Sequence, residues 1–167
     1  CPIDFPQKGA VISHFNITDR KLTEIALQSK EDLLKTISDN LPDGALYQLK
    51  HSKDGSFHFP YISAGIERLL GVSPKDVLDD AKNLFSLTHR EDLERIFIAQ
   101  RESEKYLTPF EQIHRQYTAT RELKWLLLRS MPRRMEDGST VWDGVVFDIT
   151  EIKKTREELK IAKEQAE

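Results

Sequence analysis

The sequence predicts an α+β fold: a five-stranded antiparallel sheet with short helices on one face, preceded by a long connector helix and followed by a helix of coiled-coil type. Three observations carry this. Five stretches rich in aromatic and branched residues alternate with turn signals. A run of helix starts and stops lies between the second stretch and the third. The flanking segments 19–41 and 151–167 have no Gly or Pro, many charges, and apolar residues at helical spacing.

Residues 1–18 stand apart. The apolar run VISHF at 11–15 passes into Asn16-Ile17-Thr18 and then a polar stretch, the pattern of a strand turning straight into a helix. The same pattern recurs at 144–150, where GVVF meets Asp148-Ile149-Thr150. The helix at 19–41 places Leu22, Ile25, Ala26, Leu33, Leu34, Ile37 and Leu41 on one face and stops at Pro42-Asp43-Gly44. ALYQLK and FHFPYIS, joined through Lys53-Asp54-Gly55, read as an antiparallel pair, with Pro60 on a bulge or an unpaired edge.

Three helix starts follow. Ser63 precedes AGIERLLG, and Gly71 suits the C-terminus of that helix. Ser73-Pro74-Lys75-Asp76 supplies a cap, a first-turn proline and an acid near the positive end. Thr88-His89-Arg90-Glu91 has capping-box spacing and opens a longer helix to about Lys105, with Leu93, Ile96 and Phe97 expected on its buried side.

FEQIHRQYT, ELKWLLLRSMPRRM and TVWDGVVFDIT then read as three strands joined as hairpins, the last two through the EDGS turn. These strands are apolar on both parities, since Leu126 and Leu128 alternate with Trp125 and Leu127. Both faces of the sheet therefore want cover. After Thr150, the residues Ile152, Thr155, Leu159, Ala162 and Ala166 follow a 3-4-3-4 spacing in an otherwise charged helix, a narrow dimer seam. A helix of this length hardly forms alone in water, so a partner is expected.

The totals bound the function. A chain of 167 residues makes one domain with a core, plus appendages. The net charge of −3 argues against nucleic acid or an anionic membrane as partner. Cys1 is the single cysteine, which excludes an intrachain disulfide and suits a reducing, cytoplasmic setting; any membrane anchor of a longer parent is expected elsewhere. His14, His51, His58 and His114 are scattered with no metal-ligand spacing, and there is no phosphate loop and no nucleophile with a base, so this chain is not expected to be an enzyme.

Two strands, short helices, a longer helix opening THREDLER, and three strands containing RELKWLLLRSMPRRMEDG and ending GVVFDIT resemble a PAS domain with its C-terminal PAC/DIT motif, of the type found in bacterial multi-PAS sensor histidine kinases. YISAGIERLLGVSPKDVL adds to the likeness. The resemblance implies a PAS domain at 42–150, a remnant of a preceding PAS domain at 1–18, a connector helix at 19–41 and a signalling helix at 151–167 that begins a linker to an effector. The sequence departs from the pattern at TATREL, where relatives often carry Asp-Gly, and at Asn16, which drops the charge of the Asp-Ile-Thr step.

By that resemblance the chain is a sensory and relay module that passes the state of a ligand, partner or upstream domain through Asp148, Ile149 and Thr150, beside Trp125, to a dimeric output helix. The expected partners are a second copy and the adjacent PAS and kinase domains, with neither nucleic acid nor direct membrane contact. The rival readings are a ligand-free spacer or dimerisation module, a haem or flavin redox sensor, and the input domain of a diguanylate cyclase. Tyr47, Phe59, Tyr61, Phe85, Phe97, Ile113 and Leu127 are candidate pocket-lining residues, or equally packed core. Arg115 and Arg129 are placed at the mouth of that pocket, facing an acidic ligand or surface carboxylates. For cofactors the expectation is none. Flavin-cysteine chemistry lacks its cysteine, and the one histidine near a haem-ligand position, His89, sits at a helix start.

Overall fold

The computed structural model of the chain describes residues 8–166, with side chains from residue 17 onward. The chain divides into two compact units, residues 1–37 and 38–167.

The first unit is built on helix α1, Lys8–Asp39. The strand end expected within 9–18 is helix instead, and no break falls at 18/19; residues 1–7 of the expected remnant lie outside the described residues. The physical reason is partnership. Val11, Ile12, Ile17 and Thr18 favour strands only by a few tenths of a kcal/mol each, about the spread of the propensity scales. A lone strand leaves its backbone groups unpaired, whereas a helix pairs its own. The helix ends at Asp39 rather than 41 because the residue before Pro42 is pushed out of the α region and Asp43 turns to φ 53°.

The second unit contains the expected sheet: β1 Gly44–His51, β2 Phe57–Ile62, β3 Phe110–Tyr117, β4 Leu123–Arg134 and β5 Thr140–Asp148, all antiparallel in the order β2-β1-β5-β4-β3. The first and last strands in sequence are thus neighbours, with Ala45 opposite Val146 and Leu49 opposite Trp142. Pro60 lies on edge strand β2, where Gln48 faces Tyr61 and Lys50 faces His58. The extra residue there is a bulge, as Pro60 requires.

Between β2 and β3 run α2 Gly65–Leu70, α3 Pro74–Asp79, α4 Lys82–Phe85 and α5 Arg90–Tyr106. Gly71 closes α2 at φ 73°, and the Ser73 hydroxyl accepts from the Asp76 amide at 3.2 Å to start α3. The cap of α5 is His89, one residue later than the expected Thr88, since its Nδ1 accepts from the Glu91 amide while Thr88 bonds Gln116. Gly65 starts α2 hard against β1: a Cβ there would lie 2.2 Å from the Gly44 carbonyl oxygen, so only glycine allows the approach.

The turn that departs from Asp-Gly is closed by Arg121 at φ 68°, with the Thr118 hydroxyl accepting from the Glu122 amide. Helix α6, Thr150–Ala166, leaves β5 directly.

The core lies between the sheet and α2–α5. Tyr47, Leu49, Phe59, Leu126, Trp142 and Val146 supply the sheet side; Ile66, Leu70 and Val77 supply the helical side. Inward positions on β4 are even-numbered, so Leu126, Leu128 and Ser130 face in, while Trp125 and Leu127 face out.

Candidate functional site

Where β5 becomes α6, side chains and backbone groups of β4, β5 and α6 close on each other. The Asp148 amide donates to the Asp43 carbonyl at 2.8 Å, which anchors the strand end beside the start of β1. One Asp148 carboxylate oxygen accepts from both the Thr150 amide, at 2.9 Å, and the Thr150 hydroxyl. The first free amide of the helix is thereby satisfied by the last side chain of the strand. The Thr150 hydroxyl accepts in turn from the Trp125 amide at 3.0 Å, and the Ile149 amide donates to the Trp125 carbonyl at 2.9 Å.

Lys124 joins the same knot from the inner face. Its ammonium donates to the Leu69 carbonyl near the end of α2 at 2.8 Å and lies 3.4 Å from the other Asp148 oxygen. Burial pushes the Asp148 carboxyl up, but the Thr150 hydroxyl and amide and the Lys124 charge outweigh it. The group is held below the usual carboxylate range and stays ionised.

Trp125 takes part through its backbone on one side and its ring on the other. The Lys153 ammonium sits 3.6 Å above the ring and the Arg115 guanidinium 5.7 Å from it, so the first turn of α6 lies against the outer face of β4. The cleft beside it is lined by Ile113, Leu127 and Arg129 from the sheet and by Ile152 and Ile161 from α6. The expected seam residues Ile152, Thr155, Leu159, Ala162 and Ala166 are all exposed in the single chain.

The expected pocket splits in two. Tyr47, Phe59 and Phe85 line an interior cavity of about 90 Å³. The other candidates are elsewhere. Tyr61 bonds the Ser38 hydroxyl at 2.7 Å, and Phe97 is exposed on α5. Ile113, Leu127 and Arg129 belong to the outer cleft, where Arg129 pairs with Glu111 at 3.1 Å. Arg115 is taken by Asp92 at 2.7 Å and Glu91 at 3.0 Å. Parity explains the error: β3 and β4 carry apolar residues on both faces, so alternation alone does not say which set is inside.

Sequence reasoning missed the polar lining. His114, Gln116 and Ser130 face the cavity among Leu70, Leu126 and Trp142. His114 Nε2 lies 2.8 Å from Gln116 Oε1, and the Gln116 amide nitrogen donates to the Leu84 carbonyl at 3.0 Å. The Trp142 indole donates to the Ser103 hydroxyl at 3.0 Å. Among the described residues, the buried His114 Nδ1 has no hydrogen-bond partner, while Ser130 Oγ faces the Tyr47 hydroxyl. Burial pushes His114 down, against the pull of Gln116, and raises the Tyr47 hydroxyl to about 12, against the pull of Ser130; both are neutral at pH 7. The missed signal was the shared parity of His114 and Gln116 with Phe110.

Haem and flavin do not fit this cavity. A cavity of about 150 Å³ holds benzene; the space here, about 90 Å³, is smaller than that and far below a porphyrin or an isoalloxazine. His89 is engaged as a helix cap and stacks on Tyr117 at 5.8 Å, and Cys1 lies outside the described residues. Among the described residues no three His, Cys, Asp or Glu side chains cluster as metal ligands.

A family model described as PAS fold matches residues 59–146, just over half of the chain. Solved structures share the fold at low identity. A sensory box histidine kinase/response regulator from Burkholderia thailandensis E264 matches at 15% identity and TM-score 0.54, over 72% of this chain and 89% of that one. The N-terminal domain of a diguanylate cyclase with PAS/PAC sensor from Marinobacter aquaeolei matches at 21% and 0.51, over 63% and 95%. A PAS domain from Colwellia psychrerythraea matches at 16% and 0.56, over 72% and 97%. No curated protein matches.

Proposed function

Because the chain belongs to the PAS fold family, we propose that it is a sensory relay module of a multi-domain sensor histidine kinase, and that the junction of β5 with α6 is its working part. The observation that supports this is the Thr150 hydroxyl. It gives its hydrogen to Asp148 and receives one from the Trp125 amide, so strand β4, the end of β5 and the first turn of α6 share one atom. A side chain with both bonding capacities in use fixes the helix to the sheet in rotation as well as position.

Lys124 supplies the inward connection. It holds the Leu69 carbonyl and the Asp148 carboxylate together, and Leu70, the next residue of α2, lines the cavity. A change in the cavity that shifts α2 is therefore felt at Asp148. The exposed seam of α6 pairs with a second copy, and small residues at Thr155, Ala162 and Ala166 keep that pairing weak enough to move between arrangements. The effector is a histidine kinase in this reading, a diguanylate cyclase in its nearest rival, and the setting is cytosolic. Among the described residues no helix is long and apolar enough to cross a membrane.

The test is Asp148→Ala in the full-length parent. The variant is expected to fold, with a stability loss of about 1–3 kcal/mol from the Thr150 and Lys124 groups left without their acceptor, and its output is expected to stop following the input. Retained signalling in a folded Asp148→Ala protein refutes the relay. An output that never responds to any input in the wild type identifies a passive spacer.

A further inference from the structure

We propose that α2 is a strut between the two ends of the domain, and that Arg68 is the positioning residue through which the chain entering the sheet acts on the Asp148-Thr150 knot. The inference rests on the relay reading for its meaning, since it names the input as the helical segment before β1. The coupling of Arg68 to the knot is a separate claim with its own measurement.

At the entrance two helix ends cap each other. α2 begins after Ala64, whose side chain offers no acceptor, and the Asp39 carboxylate takes the Ala64 amide at 2.9 Å instead. In return the Arg68 guanidinium, in the last turn of α2, donates to the Asp39 carbonyl, which the end of α1 leaves without a partner in its own helix. The Ser38 hydroxyl, buried, meets the Tyr61 hydroxyl of β2 at 2.7 Å. The last two residues of α1 thus belong to the second unit and are held there by α2 and the sheet edge.

The far end of α2 is held as firmly. Its closing carbonyls are taken from outside: Leu70 by the Ala119 amide and Leu69 by the Lys124 ammonium, both at 2.8 Å. Lys124 also lies 3.4 Å from the Asp148 carboxylate, and the Asp148 amide returns to the Asp43 carbonyl at 2.8 Å. Asp39, Arg68, Leu69, Lys124, Asp148 and Asp43 therefore close a ring whose last link is the chain from 43 back to 39. None of these six residues lines the interior cavity, so the route does not pass through it.

The ring has a direction of action. The Gly65 backbone is pressed against the Gly44 carbonyl, so α2 cannot absorb a displacement of Asp39 by sinking into the sheet. The displacement passes to Leu69 and Lys124. Of the two contacts that Lys124 makes, the one to Asp148 is the longer; both side chains are 19% exposed, and water screens the pair little. A shift at Asp39 is felt there, at the carboxylate on which Thr150 depends.

Hydrogen exchange in the whole chain measures the coupling. Arg68→Met removes the donor and keeps an unbranched stem; Arg68 is exposed, so the core is untouched. The amides of Trp125 and Lys153 report the knot and the first turn of α6. They are expected to exchange about threefold faster in Arg68→Met, with the Trp142 amide unchanged as the reference for global stability. Arg68→Lys, which still donates to the Asp39 carbonyl, is expected to restore most of the protection. In Lys124→Met the ring is already open, and adding Arg68→Met should speed the two amides by less than about 1.5-fold further.

A further change of 1.5-fold or more in the Lys124→Met background overturns the proposal, since Arg68 then acts without the strut. So do wild-type rates at Trp125 and Lys153 in Arg68→Met, or an equal acceleration at Trp142, which marks a merely structural role. If Lys124→Met does not fold, the contrast between Arg68→Met and Arg68→Lys decides. Wild-type protection in Arg68→Met, beside an Asp148→Ala parent that no longer follows its input, removes the strut and leaves the relay. Coupled amides beside a fully signalling Asp148→Ala parent keep the strut and remove the relay.

Discussion

Replacing Trp142 with Ala is expected to lower the unfolding free energy by about 3–5 kcal/mol. Trp142 is 1% exposed and the largest fully buried side chain, on central strand β5 between Leu49 of β1 and Pro132 of β4. Its indole also donates to the Ser103 hydroxyl, which in turn donates to the Thr108 carbonyl at 2.7 Å, so it ties α5 to the sheet. The site cannot collapse easily, since β1 and β4 hold it from both sides and the existing cavity adjoins it. Trp142→Phe keeps most of the apolar volume and loses the indole bond, and should cost roughly half as much. Urea unfolding of both variants measures this; a loss under about 1 kcal/mol for Ala would mean that the cavity wall repacks.

Asp92→Ala is the second large effect, expected to cost about 3 kcal/mol. Asp92 is buried in the first turn of α5 and accepts from the Arg115 amide at 2.7 Å and from its guanidinium at 2.7 and 3.1 Å. One carboxylate thus ties α5 to the backbone of β3 and holds a cation. Arg115 remains partly open to water and to Glu91, so its loss of a partner is softened and the estimate sits at the lower end for a broken buried pair.

Arg115 holds the Asp92 carboxyl far below the usual range, its hydrogen bonds outweighing the cost of burial. Asp148 is lowered too. For a carboxyl depressed in the fold, the unfolded chain binds the proton first. The stability that these groups contribute is full well above the unfolded carboxylate value, about 3.9, and is lost as pH falls below that value and through their folded ones. Asp92→Asn should therefore flatten the acid limb of the stability profile below about pH 4. An unchanged limb would show that other carboxylates dominate it.

Element type and order were legible in the sequence; facing and continuity were less so. The strands at 45–50, 57–63, 110–118, 122–135 and 140–150 differ from the observed ones by one or two residues, because turn chemistry at Asp54-Gly55 and Asp137-Gly138 punctuates them. The start of α3 was marked by its own cap, Ser73, and the Asp148-Thr150 knot by its repeated motif, whereas Ser63 does not cap α2, its hydroxyl accepting from the Leu46 amide of β1 instead. What strand alternation could not tell was which parity of β3 and β4 faced the helices. The inner face is set by Leu126 standing opposite His114 and Asp148, a long-range register that no local window contains. Polar His114, Gln116 and Ser130 were therefore missed, Ile113 and Leu127 were assigned inward, and Arg129 was placed at the pocket mouth. The segment at 9–18 failed for the opposite reason: its strand-to-helix motif lies within helix α1, and among the described residues no strand pairs with it.

The account stands on the Thr150 hydroxyl joining sheet to helix, and amide hydrogen exchange tests that most directly. In Thr150→Val the shape is kept and both bonds are lost; in Thr150→Ser both are kept. The account predicts that the Val variant exchanges at least about tenfold faster at the Trp125 amide, which loses its acceptor, and at Lys153 in the first turn of α6. The Ser variant should match wild type, and the Trp142 amide should not change in either. Equal protection of Trp125 and Lys153 in Thr150→Val and wild type would contradict it.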